Sequence, residues 1–123
     1  MDFLYKFKPF NRRKDPRFQP KLVISCLLDY SDKDGQKIQC QAQVTDVSNS
    51  GALLEMGDVK FYPKNEVSMN FQLPGQQEQF TIHGRIIRTF RRKGQNFYHS
   101  GLKFVNKLEP GIKVLLDYAR RYS

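Results

Sequence analysis

Apolar side chains recur at every second position through most of this chain. From Leu22 the even positions read Leu22, Ile24, Cys26, Leu28 and Tyr30. A second row, Ile38, Cys40, Ala42 and Val44, is interleaved with Gln39, Gln41 and Gln43. Val67, Met69, Phe71 and Leu73 alternate with polar residues, and Phe80, Ile82, Gly84 and Ile86 make the next row. Tyr98, Ser100, Leu102 and Phe104 close the series. A period of two predicts strands with one buried and one wet face. Asp34-Gly35, the "PGQQ" after Leu73 and the charged "RRKGQN" read as turns between them. A short strand over 52–56 fits between the second and third long ones. The expected fold is all-β, with about six strands in a closed or nearly closed antiparallel barrel that leaves no bare sheet edge.

The period changes once. Ile112, Leu115, Leu116 and Ala119 lie at helical spacing, which predicts a single C-terminal helix over 110–121 that packs on the barrel. Pro110 suits its first turn, Glu109 its positive end, and Arg120 and Arg121 its negative end. Residues 1–20 have no clean period. Phe3, Leu4, Tyr5, Phe7, Phe10 and Phe18 are too apolar for a free tail, and Arg12 to Arg17 are too basic for a core. The expectation is an arm over 1–20, aromatic residues down and arginines free, beside a barrel-plus-helix body over 21–123.

At 123 residues there is room for one domain with one core. No stretch of 18 or more apolar residues could span a membrane as a helix, and the N-terminus lacks the pattern of a secretory signal, so a cytoplasmic location is expected. Cys26 and Cys40 fall within apolar alternations and read as reduced core residues. His83 and His99 fall between inward positions and are expected to face solvent. No nucleophile, acid–base pair or metal-ligand spacing stands out, which argues against an enzyme and against a metal site. The 21 basic against 12 acidic side chains give a net charge of +9, which calls for an anionic partner without saying which.

Two stretches narrow that choice. "NRRKDPRF" places Arg12, Arg13, Lys14 and Arg17 close together, with Asp15-Pro16 disfavouring helix. Guanidinium forks suit phosphate oxygens and the O6/N7 edge of guanine, although a solvated basic tail has the same composition. "DVSNSG" carries Asp46, Ser48 and Gly51 at the end of the second long strand. Asp46 and Ser48 continue the even-numbered face to the barrel rim. All three are also ordinary turn residues, and Gly51 would serve a positive φ.

Taken together, Arg-x-x-x-Arg followed by Asp-x-Ser-x-x-Gly at the second strand of a small barrel resembles the PilZ domain family. "YHSGLKF", with Gly101 and Phe104, looks like that family's last strand, and the likeness runs over roughly 12–120. It implies a six-stranded barrel that binds the bacterial second messenger cyclic di-GMP. Arg13 and Arg17 would contact phosphates and guanine edges, Asp46 and Ser48 a guanine and its surroundings, and Gly51 would leave the ligand room. The residue chemistry agrees, since a carboxylate accepts from the N1–H and N2–H₂ donors of guanine. A basic residue at Arg12 is associated in the family with two mutually stacked ligands per chain. Arg88 falls near a position where some relatives stack an aromatic ring on a base. A guanidinium plane can do the same, or Arg88 is a solvated strand residue. The resulting expectation is a non-enzymatic receptor that changes conformation on ligand binding and signals through a protein partner. The alternative is a small basic barrel binding RNA or single-stranded nucleic acid.

Overall fold

The computed structural model describes residues 16–31, 34–57 and 65–123. Arg12, Arg13 and most of the expected arm therefore lie outside the described residues. The elements are strands β1 (Ile24–Ser31), β2 (Lys37–Val47), β3 (Gly51–Glu55), β4 (Glu66–Gln72), β5 (Gln79–Phe90) and β6 (His99–Phe104), followed by helix α1 (Pro110–Arg121). The strands close into an antiparallel barrel in the order β1-β2-β3-β6-β5-β4. The predicted turns at Asp34-Gly35 and Pro74-Gly75 hold glycines at φ 82° and 78°, a backbone region that side-chain-bearing residues rarely adopt.

The alternating residues fill the barrel. Ile24, Leu28, Leu54, Met69, Phe71, Ile82 and Ile86 are fully buried, each contributing about 1.5–3 kcal/mol by leaving water. Helix α1 covers the end at which Phe71 and Phe80 stack, 5.1 Å between ring centroids. It inserts Ile112, Leu115, Tyr118 and Ala119. Gly111 permits this close approach, because a Cβ there would strike the Phe80 ring at 2.6 Å. The sequence pattern missed Tyr118, whose ring is buried while Leu116 is only partly so. Among the described residues, no helix is long and apolar enough to cross a membrane.

Three local expectations need correction. Leu22 is 46% exposed and precedes β1. Barrel pairing begins at Ile24, opposite Val44, and just before it the Lys21 N–H bonds the Tyr122 carbonyl at the helix C-terminus, 2.8 Å away. Tyr30, Ile38 and Cys40 lie toward the opposite end of the barrel and are only partly buried. Glu109 sits at the N-cap position without capping the helix. Its carboxylate instead accepts from the His83 backbone N–H at 2.9 Å and meets His83 Nδ1 at 3.0 Å, which ties the helix start to β5.

Two strands break the alternation. The β2–β3 register shifts between Val44 and Asp46, and the β5–β6 register shifts between Ile86 and Arg88. Each is a β-bulge, with one extra residue (Thr45, Ile87) that turns every following side chain to the other face.

Candidate functional site

The two bulges build the site. Without them Asp46 would follow Ala42 and Val44 toward the interior, and Arg88 would follow Ile82, Gly84 and Ile86. After the shift, Val47 takes the inward place opposite Ala52, and Asp46 pairs with Leu53. Leu53 pairs with Gly101, and Gly101 with Arg88. Asp46, Leu53, Gly101 and Arg88 thus form one row across β2, β3, β6 and β5 on the outer face. Asp46 and Ser48 therefore do not continue the even-numbered apolar face. An ionisable side chain could not be placed inside so small a core without a large desolvation cost.

A trough of about 510 Å³ lies over this row. It brings together Arg17, Asp46, Ser48, Gly51 and Arg88, with Ile87 and Lys103 added to its wall. Arg17 arrives from the segment before β1. Phe18 makes a two-bond antiparallel bridge to Val47, N–O distances 2.8 and 3.0 Å, which fixes the backbone beside the bulge. Arg17 is consequently not a free cation, because its Nη1 donates to Asp46 Oδ2 at 3.1 Å. Asp46 is 7% exposed, and its second oxygen, Oδ1, is buried with no hydrogen-bond partner among the described residues. A desolvated carboxylate oxygen without a donor is costly to keep. Among the described residues, three cations, Arg17, Arg88 and Lys103, and this single carboxylate line the trough.

Ser48 and Gly51 shape the turn at its rim. The Ser48 N–H bonds the Gly51 carbonyl at 2.9 Å, and the Ser50 N–H donates to Ser48 Oγ at 3.3 Å. Gly51 does not adopt a positive φ. It pairs with Lys103, and a Cβ on it would collide with the Leu102 backbone carbonyl. Close strand approach requires glycine here, whatever room it also leaves in the trough.

Arg88 lies across Gly101, where a Cβ would stand 3.2 Å from its Nε. Its guanidinium carbon is 5.1 Å from the centroid of Phe90. His99 differs from expectation, being 3% exposed. The alternation correctly puts it on the outer face, but that face is roofed. Phe90 stacks on its ring at 5.2 Å, Phe97 leans on it at 5.3 Å, and Gln95 Oε1 meets Nε2 at 2.9 Å. Burial, followed by the nearby Arg92 charge, lowers the pKa of His99, while Glu55 pulls the other way.

Lys103 and Ile87 are the site residues that the sequence reading missed. Lys103 stands between inward Leu102 and Phe104, so its outward direction was legible. The doublet Ile86-Ile87, and the spacing of three between Val44 and Val47, are the marks of the two bulges.

Comparison with known proteins agrees with this architecture. The sequence matches the PilZ domain family over residues 11–121. No curated protein matches it by sequence. Among solved structures, the inhibitor of motility MotI/DgrA of Bacillus subtilis superposes with a TM-score of 0.65 at 17% identity, over 89% of this chain and 50% of that one. The PilZ domain of YcgR from Escherichia coli, solved with c-di-GMP, gives 0.63 at 17% identity, over 90% of this chain and 91% of that one. The MrkH–c-di-GMP complex of K. pneumonia gives 0.62 at 16% identity, over 91% and 56%. The chain therefore spans about half the length of MotI and MrkH and nearly all of the isolated YcgR domain. At such identities the structural likeness is one of fold, and it is the sequence match over nearly the whole length that assigns the family: the chain belongs to the PilZ domain family.

Proposed function

We propose that this chain is a receptor for cyclic di-GMP and not an enzyme, with the ligand seated in the trough over the Asp46–Leu53–Gly101–Arg88 row. The observation that carries the reading is Asp46 Oδ1, buried and without a donor among the described residues, beside a clustered positive charge. Each guanine of the ligand offers two adjacent donors, N1–H and N2–H₂, that suit this carboxylate, and the phosphates of cyclic di-GMP suit the arginines. Two of the structures named above, the YcgR PilZ domain and MrkH, were solved with this ligand.

In this reading Asp46 and Ser48 hold a guanine and Gly51 leaves it space. Arg17 uses the donors that Asp46 does not take, and Arg13 joins it on phosphate or guanine O6/N7. Arg88 stacks on a base. Arg12 supports a second ligand stacked on the first, since two cyclic di-GMP molecules bring four phosphate charges. Of the arm over 1–20, the part ahead of the Phe18–Val47 bridge closes onto the body over 21–123 as the ligand neutralises its repelling cations, and the closed surface signals to a protein partner.

Calorimetric titration with cyclic di-GMP tests the proposal. The expected result is micromolar or tighter affinity, on the order of 8 kcal/mol. Two ligands per chain are expected, falling toward one in Arg12→Leu, with far weaker binding of GMP and GTP. No heat at tens of micromolar ligand overturns the reading. Steeply salt-dependent oligonucleotide binding without selectivity for cyclic di-GMP would replace it with a nucleic-acid-binding barrel.

A further inference from the structure

Arg88 is exposed, and an exposed arginine ordinarily samples many rotamers, so that fixing it on a ligand costs entropy. Here it is held from two sides. Its stem and Nε lie over Gly101, which has no side chain to lift it, and its guanidinium carbon is 5.1 Å from the Phe90 centroid. Phe90 is itself fixed. Its ring stacks on His99 at 5.2 Å with an interplanar angle of 14°, and His99 is clamped by Gln95 and Phe97. The bulge at Ile87 brings Arg88 and Phe90 to the outer face, where they pair with Gly101 and His99 of β6. Among the described residues no carboxylate pairs with Arg88, so its donors are not committed elsewhere.

From this ladder, and resting on the cyclic di-GMP reading above, we infer that Phe90 is a positioning residue: it preorganises the Arg88 guanidinium over Gly101 so that the ligand meets a fixed cation. Phe90 does not line the trough. It acts on the ligand through Arg88, and His99 acts through Phe90.

Titration of the full chain with cyclic di-GMP, using variants shown to melt cooperatively, tests the inference. Phe90→Leu removes the π face and is expected to weaken binding about tenfold, whereas Phe90→Tyr keeps the face and stays within about twofold of the parent. Arg88→Ala is expected to cost about as much as Phe90→Leu, and the double variant no more than Arg88→Ala alone. In the ligand-free protein the Arg88 Nε–H proton should resonate upfield through the Phe90 ring current, and return to its ordinary position in Phe90→Leu. If Phe90→Leu does not fold, Gly101→Ala pushes on Arg88 from the opposite side and should weaken binding by itself.

Wild-type affinity in Phe90→Leu, or losses that multiply in the double variant, would overturn the inference. So would an unshifted Arg88 proton in the parent protein, or wild-type affinity in Gly101→Ala where that variant stands in. A parent protein that does not bind cyclic di-GMP removes the functional reading and the inference together. A parent that binds, with Phe90→Leu unchanged, removes the inference alone.

Discussion

Arg17 Nη1 and Asp46 Oδ2 stand 3.1 Å apart, joined across 29 residues of sequence. The arginine is about one-third exposed and the carboxylate nearly buried, so the two ends of the pair are unequal. Losing the cation strands a desolvated charge, whereas losing the charge releases a cation that water can serve.

Arg17→Ala is therefore expected to act twice. Without ligand it should destabilise the barrel by about 1–2 kcal/mol through the unpaired carboxylate. With ligand it should also weaken cyclic di-GMP binding about tenfold, by loss of a charge-assisted contact. Adding Asp46→Asn should restore part of the stability and none of the affinity. Chemical denaturation and titration of the same samples separate the effects.

Gly51→Ala should fail for a different reason. The new methyl would meet the Leu102 carbonyl, and backbone on both sides of the β3–β6 pair cannot yield cheaply. A loss of about 2 kcal/mol is expected in the absence of ligand, typical of overpacking. If denaturation midpoints are unchanged and only ligand binding falls, glycine is needed there for ligand space alone.

His99 predicts a pH dependence. Its pKa in the folded protein lies below the ordinary 6.5, chiefly through burial, so the unfolded chain binds the extra proton more readily. The contribution to stability is complete above the unfolded value and is lost as pH falls through the folded one. Stability should decline below about pH 6.5, by at most about 1.4 kcal/mol per pH unit from this group. His99→Gln should flatten that part of the profile. An identical slope in parent and variant would place the effect elsewhere.

Cys26 and Cys40 should differ in reactivity. Burial, and then the proximity of Cys40, push the Cys26 thiol up to about 12, and burial also raises Cys40, which is only partly covered. Since the thiolate is the nucleophile, alkylation near neutral pH should be slow at Cys40 and slower still at Cys26. Both should label quickly in denaturant, and peptide mapping after timed alkylation reads the order directly.

The fold was legible in the sequence because a barrel of this size is specified by a period of two. Once Ile24, Leu28, Met69, Phe71 and Ile82 must share one interior, six strands and a covering helix follow from burial alone. The chemistry of the site was legible too, because arginines, a carboxylate and glycines at fixed spacing match a family signature. What the sequence by itself did not determine was the direction in which those groups point. A strict alternation sends Asp46 and Arg88 inward, and only the inserted Thr45 and Ile87 turn them out onto one row with Leu53 and Gly101. Each bulge leaves a trace in its own strand, the doublet Ile86-Ile87 and the three-residue step from Val44 to Val47, but pairing with the neighbouring strand decides which residue is the extra one. His99 is likewise outward by parity and yet buried, because Phe90 of the paired strand β5 stacks on its ring and Phe97, two residues before it, folds back over it. Local sequence set the period of each strand, and long-range pairing set which face became the site.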